Sequence, residues 1–436
     1  MATFTMYFPG GKYPAGYSPA IDGLTENVMF GSLVELDRAT LVGTTSATLI
    51  RLKLINGLEL RISGTGFSFD SDGATAGTIT KFELRQSNGT SLVQKLEVSN
   101  LSLVLFEDAA INLDPWQMQA WLLRGSDTLN GSAGMDNLSG HAGNDIMNGL
   151  GESDYIEGGE GRDTYDGGEG YDQLSFADAR GNANAFRGIV LDAVAGTVTD
   201  PWGNQETFKN FESYRGSHFA DKMTGSSLGE EFMGLGGRDA INGGGGFDVV
   251  RYHRDSSHGG TRGVTVNLAT GVAVDGFGRQ DTLTSIEGVR GTEFADKLTG
   301  SNAANFLRGD GGNDTLAGGL GNDRLDGGSG KDSFIFNTTL NSGTNVDVIE
   351  DFDPTADLIK LENSIFKAFG ATGALASTAF AANATGLASN ASHRIIYEKD
   401  TGELYYDADG TGAGNSVLFA KIGTNLALSY QDFLII

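Results

Sequence analysis

Cysteine is absent from this 436-residue chain. No disulfide can cross-link it, and no thiolate can act as nucleophile or metal ligand. Proline occurs only six times. Basic residues are scarce: 30 Lys and Arg stand against 56 Asp and Glu, a formal charge of −26. That surplus argues against nucleic acid or an anionic membrane surface as partner, and it suits a protein that gathers cations. No apolar run approaches the roughly 18 residues of a membrane-spanning helix, so no transmembrane segment is expected. Residues 1–11 lack the basic and apolar regions of a secretory signal. The chain is expected either to remain in the cytosol or to leave by a route that ignores its N-terminus. Glycine, in contrast, is plentiful. There are 66 residues of it, about twice the usual share of roughly 7%. With little proline and no three-residue period, this excludes collagen and implies many tight turns at positive φ.

The glycine is ordered in nine-residue units, Gly-Gly-x-Gly-x-Asp-x-U-x, where U is large and apolar. A first array over residues 122–175 reads LLRGSDTLN, GSAGMDNLS, GHAGNDIMN, GLGESDYIE, GGEGRDTYD, GGEGYDQLS. A second over 216–251 reads GSHFADKMT, GSSLGEEFM, GLGGRDAIN, GGGGFDVVR. A third over 291–335 reads GTEFADKLT, GSNAANFLR, GDGGNDTLA, GGLGNDRLD, GGSGKDSFI. One such match would mean little; fifteen units in phase within their arrays are a strong signal.

This pattern resembles the calcium-binding nonapeptide repeat of RTX (hemolysin-type) proteins, and the units cover about a third of the chain. The resemblance implies an all-β fold: a right-handed parallel β-roll, or β-solenoid, with Gly/Asp calcium turns. The first six residues of each unit form the turn and the last three a short strand with U facing inward, as at Leu138, Met147, Ile156, Tyr165 and Leu174. Two units make a coil, so position 6 returns to the same edge every 18 residues. One edge of the first array stacks Asp127, Asp145 and Asp163, and the other stacks Asp136, Asp154 and Asp172. In the second array the pairs are Asp221 with Asp239 and Glu230 with Asp248. In the third they are Asp296 with Asp314, Asp314 with Asp332, and Asn305 with Asp323. Parallel strands lie about 4.8 Å apart. Carboxylates at that spacing repel unless a cation sits between them.

Calcium takes six to eight hard oxygen ligands in flexible geometry, which stacked carboxylates and turn carbonyls can supply. Magnesium demands a stiffer octahedron, and zinc or copper would prefer His or Cys. Counting pairs gives about nine Ca2+ ions. Glu230 and Asn305 depart from Asp and are expected to form weaker sites. Glu152, standing where the unit has its fourth-position Gly, is expected to distort its turn. One apolar side chain per nonad is a thin core against a backbone entropy of about 1–2 kcal/mol per residue. Calcium is therefore expected to supply folding free energy directly.

A longer period lies over the nonads. The segments beginning at Arg187 and Arg262 match at an offset of 75, RGIVLDAVAGTVTD with RGVTVNLATGVAVD. The β-rich inserts 176–215 and 252–290 are expected to continue the solenoid as wider, calcium-poor coils. The expected organisation is a β-rich N-terminal module (1–121), a roll (122–335), and a C-terminal β-rich secretion and capping region (336–436). In the N-terminal module, stretches at 48–55, 58–62, 80–84 and 101–106 read as strands. Asp114 and Pro115 mark the start of a short helix, whose Trp116, Trp121 and Leu122 are expected to cap the open end of the roll. Trp116, Trp121 and Tyr17 could instead form a carbohydrate-stacking surface. Asp70-Ser71-Asp72-Gly73 reads as a calcium turn or an ordinary hairpin. The stretches DVIEDFDPTADLIKL and RIIYEKDTGELYYDADGTGAGNSVLFAKI resemble the C-terminal region of serralysin-type RTX proteins. The terminal QDFLII resembles the uncleaved signal of type I secretion substrates. That resemblance implies a bacterial exporter as partner and an extracellular or cell-surface location. Asp407 and Asp409 sit in a Gly-rich turn that could hold one more cation.

The five histidines form no HExxH, so the zinc protease that accompanies this C-terminal type is missing. The single GxSxG, at 225–229, falls in phase with the nonads and reads as a turn, because a lipase nucleophile needs a strand–turn–helix setting. His253 and His258 share a polar loop that reads as solvated rather than metal-binding. Two functions remain. One is a non-catalytic surface, matrix or adhesion protein, surface-layer or biofilm-forming, with self-association or cell-surface polysaccharide as partner. The other is a polysaccharide-acting enzyme with its site in the N-terminal module or the inserts. The first is favoured because no acid/base constellation is visible.

Overall fold

The computed structural model describes residues 2–6, 40–41, 46–53, 58–70, 73–86, 92–112, 115–412 and 414–436. Asp114, Tyr17, Ser71 and Asp72 lie outside them, as does the side chain of Trp116. The chain divides into two compact units, Met1–Ser217 and His218–Ile436.

In the first unit, strands Leu49–Lys53, Glu59–Asp70, Gly73–Arg85 and Leu92–Ser102 form an antiparallel meander. Inward residues Leu60, Ile62, Phe82, Leu84 and Leu96 alternate along these strands and are buried. The stretch expected as a strand over 101–106 instead turns helical at Leu103 and runs to Asn112. The reason is spacing: Leu103, Phe106 and Ala109 recur at helical intervals and all are buried. Phe106 packs on Phe82 with ring centroids 4.8 Å apart. The helix Pro115–Leu122 follows, as its Pro start implies. Its buried residues are Met118 and Gln119, with Leu123 just beyond; Trp121 and Leu122 are only half-buried. The first roll strand is Thr128–Asn130. Strand Ala2–Met6 pairs with it in parallel, and pairs antiparallel with Leu92–Ser102 on its other side. An open edge invites further strand pairing, so a β partner covers it.

The roll strands stack in two parallel ladders. Thr128–Asn130, Ile146–Gly151 and Thr164–Glu169 form one; Asn137–Ser139, Tyr155–Glu157 and Gln173–Ser175 form the other. The first insert then re-enters both: Thr164 pairs with Thr207, and Gln173 with Ser213. Between them, Val190–Asp192 and Thr197–Thr199 make an antiparallel excursion.

The second unit repeats the plan. Ala240 pairs with Thr282 and Val249 with Gly288 across the second insert. The third array keeps its 18-residue register, with Leu298 opposite Leu316 and Leu307 opposite Leu325. Beyond it, Leu358–Leu361 and Asp347–Ile349 extend the two ladders, and Phe433–Ile435 and Val417–Lys421 close them in parallel. In both units every position-8 side chain, from Leu129 through Tyr165 and Phe232 to Phe334, is buried. No helix among the described residues is long and apolar enough to cross a membrane.

Candidate metal centre

In nine of the fifteen turns positions 2 and 4 of the nonad take positive φ, as at Gly168 (108°) and Gly170 (148°), which glycine adopts without steric cost. In the unit 149–157 these positions are Leu150 (φ 82°) and Glu152 (φ 63°). The expected distortion at Glu152 does not occur. Its carbonyl lies under Gly170 just as that of Leu150 lies under Gly168, so tightly that a Cβ on either glycine would overlap it. The cost is backbone strain of about 1–2 kcal/mol per residue. Position 1 must also be bare, because a Cβ on Gly158 would overlap Oδ2 of Asp163 and the hydroxyl of Tyr165.

Position 6 then forms a ladder. The backbone N–H of each acid donates to the side-chain Oδ1 of the acid 18 residues on. In the first array these bonds join Asp127 to Asp145 (2.7 Å), Asp136 to Asp154 (2.8 Å), Asp145 to Asp163 (2.7 Å) and Asp154 to Asp172 (2.8 Å). In the second they join Asp221 to Asp239 (2.9 Å) and Glu230 to Asp248 (2.8 Å). In the third they join Asp296 to Asp314 (2.7 Å), Asn305 to Asp323 (2.7 Å) and Asp314 to Asp332 (2.8 Å). All nine expected pairs are thus brought together, including those of Glu230 and Asn305.

The second carboxylate oxygen distinguishes two kinds of turn. At Asp136 and Asp296 the Ser or Thr at position 2 satisfies it, whereas Glu230 takes only the Ser226 N–H on Oε1 and leaves Oε2 buried without a hydrogen bond. Ser132 donates its N–H and its hydroxyl to Asp136, Thr292 does the same to Asp296, and Ser301 to Asn305. At Asp145, Asp154, Asp239, Asp248, Asp314 and Asp323, Oδ2 is buried and accepts no hydrogen bond. An ionised carboxylate buried in this way carries a heavy desolvation cost unless a cation joins it.

The metal-free electrostatics agree. Burial, helped by the charges of the flanking acids and opposed by the ladder hydrogen bond, lifts Asp145, Asp154 and Asp314 to about 8. Burial likewise lifts Asp163, Asp172, Asp248 and Asp296 to about 6 and raises Asp239, Asp323 and Asp332. Among the described residues no three or more His, Asp or Glu side chains converge as a metal cluster. Each gap offers two carboxylates, or one carboxylate and the Asn305 amide oxygen, which fits calcium, with carbonyls or water left to complete the shell.

Several acids join the ladder that the nonad pattern does not mark. Asp172 N–H donates to Glu212 (2.9 Å), Asp239 N–H to Asp281 (3.0 Å) and Asp248 N–H to Glu287 (3.0 Å). Beyond the last array, Asp323 N–H reaches Asp347 (3.2 Å) and Asp332 N–H reaches Asp357 (2.9 Å). The only sequence trace of the insert acids is the 75-residue offset, which aligns Glu206 with Asp281 and Glu212 with Glu287.

The other candidates resolve as follows. Asp407 Oδ1 accepts the N–H groups of Asp409 (3.1 Å) and Gly410 (2.8 Å), and Asp409 Oδ2 accepts that of Gly414 (3.0 Å), the hydrogen bonds of a side-chain-closed turn. Ser227 of the GxSxG lies in the turn between strands Lys222–Thr224 and Glu231–Met233, with no helix following. His258 Nδ1 lies 2.9 Å from the Arg254 carbonyl, and its ring stands 5.9 Å from that of His218.

Comparison with known proteins bears on the same turns. The family model of the RTX calcium-binding nonapeptide repeat, in four copies, matches residues 123–156, 147–174, 224–251, 290–325 and 299–334. No curated protein matches the chain. Among solved structures, the extracellular lipase LipA from Serratia marcescens aligns over 87% of this chain and 81% of its own, at 12% identity and a TM-score of 0.16. That likeness is too slight to bear on fold or function. The matched turns and the parallel strands between them show that this chain is an all-β roll carrying RTX-type calcium-binding nonapeptide repeats.

Proposed function

We propose that this protein is a secreted, calcium-loaded roll that acts as a non-catalytic surface, matrix or adhesion component. The observation that carries the reading is the set of buried carboxylate oxygens at Asp145, Asp154, Asp239, Asp248, Asp314 and Asp323, each stacked in the ladder and each without a hydrogen bond. The fifteen position-6 residues would hold about nine calcium ions, one per gap. Bound calcium supplies the positive charge that lets the stacked acids ionise in place. The polypeptide does the rest: glycine at positions 1, 2 and 4 lets the turns nest, and the ladder bonds set the rise between coils.

Secretion follows from the same chemistry. Extracellular calcium modules work at dissociation constants of about 10⁻⁴–10⁻³ M, far above cytosolic calcium. The chain would stay unfolded inside the cell, pass a type I exporter through its serralysin-like residues 336–436, and fold outside. The folded product is a stiff, acidic surface suited to self-association or to cell-surface polysaccharide through bridging cations. Negative-stain microscopy of the full chain in millimolar calcium tests this: ordered sheets, filaments or glycan-bound layers are expected. A dispersed monomer that cleaves alginate or another glycan would overturn the non-catalytic reading.

A further inference from the structure

The inserts were expected to be calcium-poor, and the family match stops at residue 174, resumes at 224, stops again at 251 and resumes at 290. The strand register nevertheless carries the acid ladder across them. In the second unit, Ala240 pairs with Thr282, which sets Asp281 beside Asp239, and Val249 pairs with Gly288, which sets Glu287 beside Asp248. In the first unit, Thr164 pairs with Thr207 and Gln173 with Ser213, which sets Glu206 beside Asp163 and Glu212 beside Asp172. The sequence separations are 42, 39, 43 and 40 rather than 18. A nine-residue pattern cannot register them.

We propose that the wide coils hold calcium sites of their own, between Asp239 and Asp281, Asp248 and Glu287, Asp163 and Glu206, and Asp172 and Glu212. The proposal rests on the reading of the nonapeptide turns as calcium sites and extends it beyond them. Three observations carry it. First, the ladder bond is the same as in the arrays, from Asp239 N–H to Asp281 Oδ1 at 3.0 Å and from Asp248 N–H to Glu287 Oε2 at 3.0 Å. Second, oxygens on these acids are buried and accept nothing: Asp239 Oδ2, Asp248 Oδ2 and Glu206 Oε1. The residues concerned are 2%, 0% and 2% exposed. Third, the insert acids occur twice at the 75-residue offset, and in each insert a buried tyrosine hydroxyl, from positions that the offset does not align, donates to one of them. Tyr165 donates to Glu206 (3.1 Å) and Tyr252 to Asp281 (3.4 Å). Burial also raises Asp281 to about 7 and Glu206 well above the ordinary carboxylate range.

The opposite margin of the second insert shows that this is not a generic consequence of stacking. There Val264 N–H donates to Asp296 Oδ1 (2.6 Å), and the ladder position beside Asp296 carries no acid. The acids lie near the C-terminal end of each insert, on strands that stack back on the preceding array, and on one ladder Glu287 leads on to Asn305, whose side-chain amide donates to the Glu287 carbonyl (3.0 Å).

The test is the calcium stoichiometry of the intact chain, measured by equilibrium dialysis. The paired variant Asp281→Asn with Glu287→Gln keeps an amide oxygen to accept each ladder bond and removes both charges. Wild type should bind about thirteen ions and this variant about two fewer. A variant that binds as many as wild type, its insert carboxyls merely sharing protons, would overturn the proposal while leaving the nonapeptide sites intact. A wild-type chain that binds no calcium would instead fail the underlying reading. A second measurement needs no variant: crystals of the full chain grown with Tb3+ should show anomalous peaks between Asp239 and Asp281 and between Asp163 and Glu206. Peaks confined to the arrays would overturn it.

Discussion

The backbone N–H of Asp296 donates to Oδ1 of Asp314 at 2.7 Å, so the carboxylate of one coil is fixed by the main chain of the coil before it. The same aspartate donates its own N–H to Asp332 at 2.8 Å. Asp314 therefore belongs to two gaps at once. Asp314→Ala should remove a shared ligand and a charged hydrogen bond, the latter worth about 1.5–3 kcal/mol. The midpoint of calcium-induced folding should rise by roughly tenfold or more, read by circular dichroism. Asp353→Ala serves as the control. Its carboxylate is exposed and takes hydrogen bonds from the N–H and hydroxyl of Thr355 within the same short turn, so the midpoint should barely move.

The pH response of the metal-free chain follows from burial. Asp145, Asp154 and Asp314 rise from an ordinary value of 3.8 to about 8 on folding. Between those limits the folded state holds protons that the unfolded state has lost, so stability falls as pH rises through the window. In excess chelator, acidifying from pH 8 to about 4.5 should restore part of the β signal. With calcium present the sign reverses, because protons compete for the same oxygens. Calorimetry in buffers of different ionisation enthalpy should detect proton release on calcium binding. A chelated chain equally unfolded at both pH values would contradict this.

Leu150 holds a left-handed φ of 82° at a position that glycine fills elsewhere, and its side chain is exposed. Leu150→Gly should relieve strain of about 1–2 kcal/mol, less the entropy cost of glycine, roughly 0.5–1 kcal/mol. The calcium-loaded form should unfold at a higher temperature. Gly158→Ala should act in the opposite direction, since the new methyl overlaps Asp163 Oδ2 and the Tyr165 hydroxyl.

Much of this was readable in the sequence because the repeat is local. Six residues of turn and three of strand fix the coil, so the inward row from Leu129 to Phe334 and the nine ladder pairs follow from counting. What counting misses is set by register at a distance. Glu212, Asp281, Glu287, Asp347 and Asp357 enter the ladder 40, 42, 39, 24 and 25 residues after their partners. Strand pairing across each insert, and beyond the third array, reveals them. The strand partner of the first roll strand is not legible for a similar reason. The Trp-bearing helix lies nearby in sequence, whereas strand Ala2–Met6 arrives from more than a hundred residues away. The helix Leu103–Asn112 was hidden by a short apolar run, Leu103-Val104-Leu105-Phe106, which reads equally as strand or helix until the buried face is known.

The central claim is that cations between successive coils hold this glycine-rich chain in shape. Far-ultraviolet circular dichroism of the full chain, followed from excess chelator into millimolar calcium at neutral pH, tests it most directly. The account predicts a largely disordered spectrum that converts cooperatively to β, with a midpoint of about 10⁻⁴–10⁻³ M. A spectrum already fully β in chelator, and unchanged by calcium, would contradict it.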